Sequence, residues 1–221
     1  MRSGSPKHLA YSRKRQLEGG EVLLPEDADV RQLTFRTMFG RGGPVEIEIG
    51  TGKGTFLLAR AAARPEANFL GIEWARAYCL YAADRVRRAK LTNVRMLRAD
   101  ASAFFRFRLP PASLTRVHVY FPDPWPKRRH HLRRLIQPTF VKNVYRALKP
   151  GGQLLVVTDH LDYFEHIRRV LLSTSGWMSI DFPVMADKDG EVVGTNFERK
   201  YVTQGRNFYR IARMKYGEHV V

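Results

Sequence analysis

Apolar and polar positions alternate over residues 45–49, where Val45, Ile47 and Ile49 enclose Glu46 and Glu48, and this period of two predicts a strand. Residues 54–64 (GTFLLARAAAR) predict a helix, stopped near Pro65. A second strand follows over 68–73. A helix over 75–90 gathers Arg85, Arg87, Arg88 and Lys90 near its C-terminal end, where cations suit the dipole. Residues 94–97 predict a short third strand and the apolar run 114–121 a buried fourth. A helix over 134–148 is closed by Lys149, Pro150, Gly151 and Gly152; a fifth strand over 154–158 and a helix over 161–173 come next. Apolar stretches at 180–185 and 208–214 predict a C-terminal antiparallel strand pair. Alternating strands and helices predict an α/β fold: an open, mostly parallel, Rossmann-like sheet with helices on both faces.

The 221 residues suffice for one such domain over 21–221, preceded by a basic arm over 1–20 that carries Arg2, Lys7, Arg13, Lys14 and Arg15 against Glu18 alone. The arm suits phosphate contact or an ordinary frayed end equally. A net charge of +17 points to a polyanionic partner, with a surface tuned for solubility as the plainer explanation. The single cysteine, Cys79, rules out an intrachain disulfide and a cysteine-rich zinc site, and reads as a small core residue. No apolar run reaches membrane-spanning length and no signal-peptide core is visible, so the expectation is a soluble cytoplasmic protein. Neither a heptad nor an apolar interface patch decides between monomer and homodimer.

Between the first strand and first helix lies Glu48-Ile49-Gly50-Thr51-Gly52-Lys53-Gly54. Gly50 and Gly52 permit a sharp turn and close approach to a ligand. The spacing is not that of a P-loop, because Lys53 is followed by glycine, and the third glycine comes one residue early for a dinucleotide loop. Glu48 would also repel a pyrophosphate. A cationic donor without phosphates, S-adenosylmethionine, suits this loop better. Glu73, ending the second strand, is placed for ribose hydroxyls, and Asp100, after the third, for the adenine. The plainer reading is that the glycines only tighten a strand–helix turn.

The fourth strand ends in Tyr120-Phe121-Pro122-Asp123-Pro124-Trp125-Pro126-Lys127, a carboxylate between two prolines beside an indole. Residues 127–149 hold eight Lys or Arg and no Asp or Glu, with Lys127, Arg128, Arg129, Arg133 and Arg134 nearest the loop. Such a segment predicts phosphate contacts that position RNA without reading its sequence. His130 and His131 have no acidic neighbour in sequence, which makes them poor metal ligands; they read as loop residues beside phosphate.

In these segments the chain resembles the bacterial tRNA (guanine-N7-)-methyltransferases. The resemblance runs through the glycine loop, Gly71-Ile72-Glu73, residues 121–127, Leu148-Lys149-Pro150-Gly151-Gly152, Thr158-Asp159 and Thr195-Asn196-Phe197-Glu198. The proline-flanked Asp123 and the late Thr-x-Phe-Glu are its most specific parts. Thr51 stands where that family often has cysteine. The resemblance implies a class I methyltransferase fold, S-adenosylmethionine as donor, no metal, and N7 methylation of a guanosine in the tRNA variable loop. It implies Glu48, Glu73, Asp100 and Asp123 at the cofactor, with Asp123 as the catalytic-site carboxylate. Lys127, Asp159, Thr195, Asn196, Phe197 and Glu198 fall on the substrate side.

Guanine N7 carries a lone pair and no proton, so the reaction asks for alignment rather than a general base. Asp123 would stabilise charge moving from sulfonium to ring. Asp159 or Glu198 would accept hydrogen bonds from the guanine N1–H and amino group. Ordinary roles compete at each position: a proline turn for Asp123, a helix N-cap for Asp159, a surface pair with Arg199 or Lys200 for Glu198, and core or rim packing for Trp125. Methylation of another RNA, and a tRNA-binding protein without catalysis, are the alternative functions.

Overall fold

The computed structural model describes residues 16–29, 31, 34–184 and 193–216. The basic arm expected over 1–20 therefore lies almost wholly outside the described residues. Seven strands form one sheet: β1 (Val45–Ile49), β2 (Asn68–Ile72), β3 (Val94–Leu97), β4 (Leu114–Tyr120), β5 (Leu148–Thr158), β6 (Trp177–Ile180) and β7 (Tyr209–Lys215). Their order is β3-β2-β1-β4-β5-β7-β6. The first five run parallel; β7 is antiparallel to both β5 and β6. The order reverses between β1 and β4, where Ile49 lies beside Ile72 on one side and Val119 on the other. Such a switch point opens a crevice at the carboxyl ends of the strands.

The helices are α1 (Phe35–Phe39), α2 (Thr55–Ala63), α3 (Arg76–Arg88), α4 (Ala101–Phe107), α5 (Pro138–Ala147), α6 (Leu161–Leu172) and α7 (Asn196–Val202). One sheet face buries Ile47, Ile49, Val117 and Val119 against Phe104 and Phe105 of α4, Val141 and Val144 of α5, and Ile167 of α6. The other buries Phe69 and Met96 under Leu57 of α2 and Cys79, Ala82 and Val86 of α3. Each such large side chain contributes about 1.5–3 kcal/mol by leaving water. Cys79 is a core residue, as its surroundings in sequence implied, and burial pushes its thiol up to about 12.

The acids of β1 depart from a half-buried strand, for both faces are covered. Glu46 is 1% exposed and Glu48 4%. Burial alone would raise the Glu46 carboxyl, but the hydrogen bond from His118 at 2.9 Å, with Arg60 and Arg116 nearby, outweighs it and pulls the group down to about 2. Arg64 completes this cage.

Several boundaries differ from the sequence reading. The helix expected from 134 begins at Pro138, because a residue before proline is driven out of the helical region, and Gln137 is extended (φ −118°, ψ 159°). Residues 128–133 instead form a short 3-10 turn. β5 starts at Leu148 and absorbs the glycine pair, with a register shift opposite Leu114 and Arg116. α4 was not foreseen, its seven residues being too short to show a period. The strand expected near 180–185 is β6, which ends at Ile180; Met185 lies outside the described residues.

Candidate active site

The glycine loop sits on the crevice. Gly50 (φ 75°) and Gly52 (φ 52°) are left-handed, and a Cβ on either would meet no atom within 4 Å. Their missing side chains thus leave open space above the backbone, a cradle for a ligand. Gly54 does the plainer job: a Cβ there would lie 3.0 Å from that of Ala82, so it sets the packing of α2 on α3.

Glu73 ties this loop to β2. Its Oε2 accepts the Gly52 N–H at 2.9 Å and its Oε1 the Ala75 N–H at 2.9 Å. Two oxygens offer about four acceptor positions, so hydroxyl donors can still be received. Glu48 lies below, and its Oε2 has no partner among the protein's own atoms; the same holds for the buried Thr51 Oγ1. Burial first, and the neighbouring Glu73 charge second, push the Glu48 carboxyl up to about 8, against an opposing Leu57 N–H. Orphaned buried oxygens are expensive, and two beside one open loop mark a place for a ligand that donates hydrogen bonds or carries positive charge. S-adenosylmethionine, with an ammonium that donates hydrogen bonds and a cationic sulfonium, fits these oxygens.

A cavity of about 250 Å³ opens beside Glu73, lined by Trp74, Ala99, Asp100, Ala103 and Phe104 among others. Trp74, Ala99, Ala103 and Phe104 give it apolar lining, while Glu26, Arg98 and Arg108 line it as well, the Arg98 guanidinium lying 5.9 Å from the centre of the Trp74 ring. Asp100 is the N-cap of α4, its Oδ1 accepting the Ala103 N–H at 2.7 Å. The acid is thus placed at the cavity, with one oxygen already engaged by the helix. Trp74 was missed by the sequence reading; its position directly after the strand-ending acid was the available signal.

The Asp123 loop leaves β4 through strained backbone. Phe121 (φ 52°) and Trp125 (φ 43°) are left-handed without being glycine, at about 1–3 kcal/mol each. Phe121 N–H still donates to Val157 O at 2.7 Å. Asp123 itself is exposed, and its charge contributes to raising the Tyr163 hydroxyl, mainly pushed up by burial, to about 12. Trp125 packs edge-on against His130 and lies under Arg133, whose guanidinium is 5.1 Å from its ring.

Arg134 is not one of the surface cations that the basic run predicts; it is 2% exposed. Its Nε donates to Pro124 O at 2.8 Å, its Nη2 to His131 Nε2 at 3.0 Å and to Asp162, and its plane lies over Tyr163. It is the internal brace of the loop, leaving Lys127, Arg128, Arg129 and Arg133 as the exposed or partly exposed cations.

Asp159 follows β5 and pairs with Arg206 at 2.8 Å. It does not cap α6; His160 does, its Nδ1 accepting the Tyr163 N–H. Thr195 caps α7 by accepting the Glu198 N–H at 3.0 Å. Glu198 is buried rather than at the surface, and its Oε2 accepts the Val193 and Gly194 N–H groups at 3.0 and 2.7 Å. These two residues shape the start of α7, which presents the exposed Asn196 and Phe197. Phe197 and Tyr201 lie 6.2 and 5.6 Å from the Phe121 ring, docking α7 on the Asp123 loop. Glu73, Glu48, Asp123 and Asp159 therefore stand at the ends of four adjoining strands.

Residues 42–211 match the protein family described as "Putative methyltransferase". The chain is 37% identical over 201 residues to a tRNA (guanine-N(7)-)-methyltransferase of Rhodopirellula baltica, covering 88% of this chain and 74% of that one. It is 35% identical to one of Myxococcus xanthus, covering 87% and 97%. Among solved structures, an antibiotic-related methyltransferase superposes with a TM-score of 0.64 at 21% identity, covering 89% of this chain and 98% of that one. The 16S rRNA methyltransferase KamB gives 0.60 at 19%, covering 83% and 92%; both likenesses speak to the fold alone. By these matches, on a sheet whose switch point carries an open glycine loop and acidic strand ends, the chain belongs to the tRNA (guanine-N7-)-methyltransferase family.

Proposed function

We propose that this protein methylates N7 of a guanosine in the variable loop of tRNA, using S-adenosylmethionine and no metal. The observation that carries the reading is Glu48, a buried acid with an unpartnered oxygen two residues before an open glycine loop. S-adenosylmethionine supplies a methyl group already activated on a sulfonium. Glu48 and the Gly50 and Gly52 backbone hold its charged end, Glu73 receives the ribose hydroxyls, and the cavity beside Asp100 receives the adenine. Asp123, on a loop braced from below by Arg134, faces the reacting region with a carboxylate that stabilises positive charge through the transfer.

The substrate side is built from Lys127, Asp159 and α7. Asp159 is a carboxylate suited to the guanine N1–H and amino donors, an arrangement that turns N7 toward the donor. Thr195 and Glu198 act by holding α7, so that Asn196 and Phe197 face the RNA. Lys127 and the three arginines after it supply phosphate contacts, which fix the RNA's position. Because N7 has no proton, no side chain is required as a base, and none of the four strand-end acids needs to take a proton from the substrate.

Incubating the purified protein with unmodified tRNA and methyl donor, then mapping methyl groups by mass spectrometry, tests this reading. 7-Methylguanosine in the variable loop is the expected product. Methylation at another atom or in another region overturns the corresponding part.

A further inference from the structure

Arg206 occupies a place a base would fit. Its Nη1 donates to Asp159 Oδ2 at 2.8 Å, and its guanidinium lies 4.5 Å from the centre of the Tyr201 ring. The Arg206 side chain is 50% exposed and that of Asp159 17%, so the cation covers the acid from the solvent side. The Tyr201 ring is wedged by Phe121 at 5.6 Å and Phe208 at 6.5 Å, and Phe121 begins the Asp123 loop. Ring and carboxylate are therefore tied to the reacting region.

A guanidinium is a flat cation that stacks on rings and carries N–H donors in its plane. Guanine has a flat face and, on its Watson–Crick edge, N1–H beside the 2-amino group; N7 lies on the other side of the ring. A guanine stacked on Tyr201 with its donor edge on Asp159 would replace Arg206 contact for contact. Adenine lacks the N1 proton and the 2-amino group: on that edge its single 6-amino donor stands beside N1, an acceptor that faces a carboxylate unfavourably.

We propose that the Tyr201 face and the Asp159 carboxylate form the subsite for the target guanine, and that Arg206 fills it until the base enters. The inference rests on the guanine-N7 reading above. The displaced guanidinium meets the RNA backbone, exchanging one anionic partner for another. Tyr201 and Arg206 then select for guanine: only a base that offers Asp159 two adjacent donors compensates for the ion pair it breaks.

Equilibrium dialysis with labelled GMP and AMP, which needs no turnover, tests the exchange on the full chain. In Arg206→Ala, and in Arg206→Gln as a second variant that keeps hydrogen-bond donors, GMP is expected to bind about tenfold more tightly than in wild type, since no charged contact must be broken. AMP is expected to gain clearly less. The gain should vanish when Asp159→Asn is added to Arg206→Ala, and Tyr201→Leu should weaken GMP in the Arg206→Ala background. GMP binding that stays the same or weakens in both Arg206 variants, or an equal gain for AMP, overturns the exchange. Product mapping on tRNA with wild-type protein separates the two readings: no 7-methylguanosine overturns the underlying function, whereas 7-methylguanosine without a GMP gain overturns the exchange alone.

Discussion

Arg134 donates from Nε to the carbonyl oxygen of Pro124 across 2.8 Å, from a position only 2% exposed. The contact puts a buried cation beneath a loop whose surface is set by Asp123 and Trp125. Two left-handed residues strain that loop, and Arg134 is what the fold supplies against the strain.

Replacing Arg134 by leucine should therefore destabilise the protein by about 2–3 kcal/mol, the scale of lost hydrogen bonds to a charged group. Arg134→Lys, which keeps the charge but not the planar fork, should retain most of the stability and still lower kcat. Urea unfolding and steady-state kinetics read the two effects. A leucine variant as stable as wild type would show that the brace is dispensable.

Glu48 sets a pH dependence with a definite sign. Its carboxyl rises from an ordinary 4.5 to about 8 in the folded protein, chiefly through burial. The folded state thus holds the proton more tightly than the unfolded chain. The stability this provides is complete below 4.5 and declines as pH rises toward 8. Glu48→Gln cannot ionise, so its melting temperature should overtake that of wild type progressively across this window, with the two curves parallel below it.

The same residue links donor binding to protons. At pH 7 Glu48 is protonated in the free protein, and a cationic donor favours the carboxylate, so binding should release about one proton. Calorimetry in buffers of different ionisation enthalpy measures this number. Glu48→Gln should abolish the release and weaken the donor by about 10- to 100-fold, the range of a charge-assisted contact.

Two glycines should separate packing from binding. A Cβ on Gly71 would lie 2.5 Å from Met96 Sδ, 2.7 Å from Leu57 Cδ2 and 2.9 Å from Thr51 Cγ2. Gly71→Ala should cost about 1–3 kcal/mol of stability through overpacking. Gly52→Ala meets no atom, so stability should fall by only the roughly 1–2 kcal/mol of a left-handed alanine, while donor affinity falls sharply. Equal donor affinity in Gly52→Ala would place the donor elsewhere.

The exposed cations should act through phosphates. Neutralising Arg128 or Arg129 should weaken tRNA binding and reduce the slope of log K against log salt by about 0.7–0.9 per contact. The buried Arg134 should leave that slope unchanged. Filter binding across a salt series distinguishes the two groups.

The alternating elements of the sheet were legible because each strand and each long helix carries its own periodicity. Glu48, Glu73 and Asp123 were legible as acids at strand ends because strand ends and loop glycines punctuate the chain. α4 was not, because a seven-residue helix held by the Asp100 cap shows less than two turns of pattern. Arg134 was misplaced because arginines in a basic run look alike until one is found under a tyrosine ring. Arg206 and Tyr201 carried no signal, since their partner Asp159 is more than forty residues away.

Local periodicity, turn residues and charge by themselves determined the order of the parallel strands and long helices and the glycine loop, and pointed to a polyanionic partner, because each is written in neighbouring residues. Which acids lose water, which cation braces a loop and which covers an acid were decided only by the tertiary structure. Burial and pairing depend on what the folded sheet brings opposite a side chain, and residues distant in the chain supply that environment.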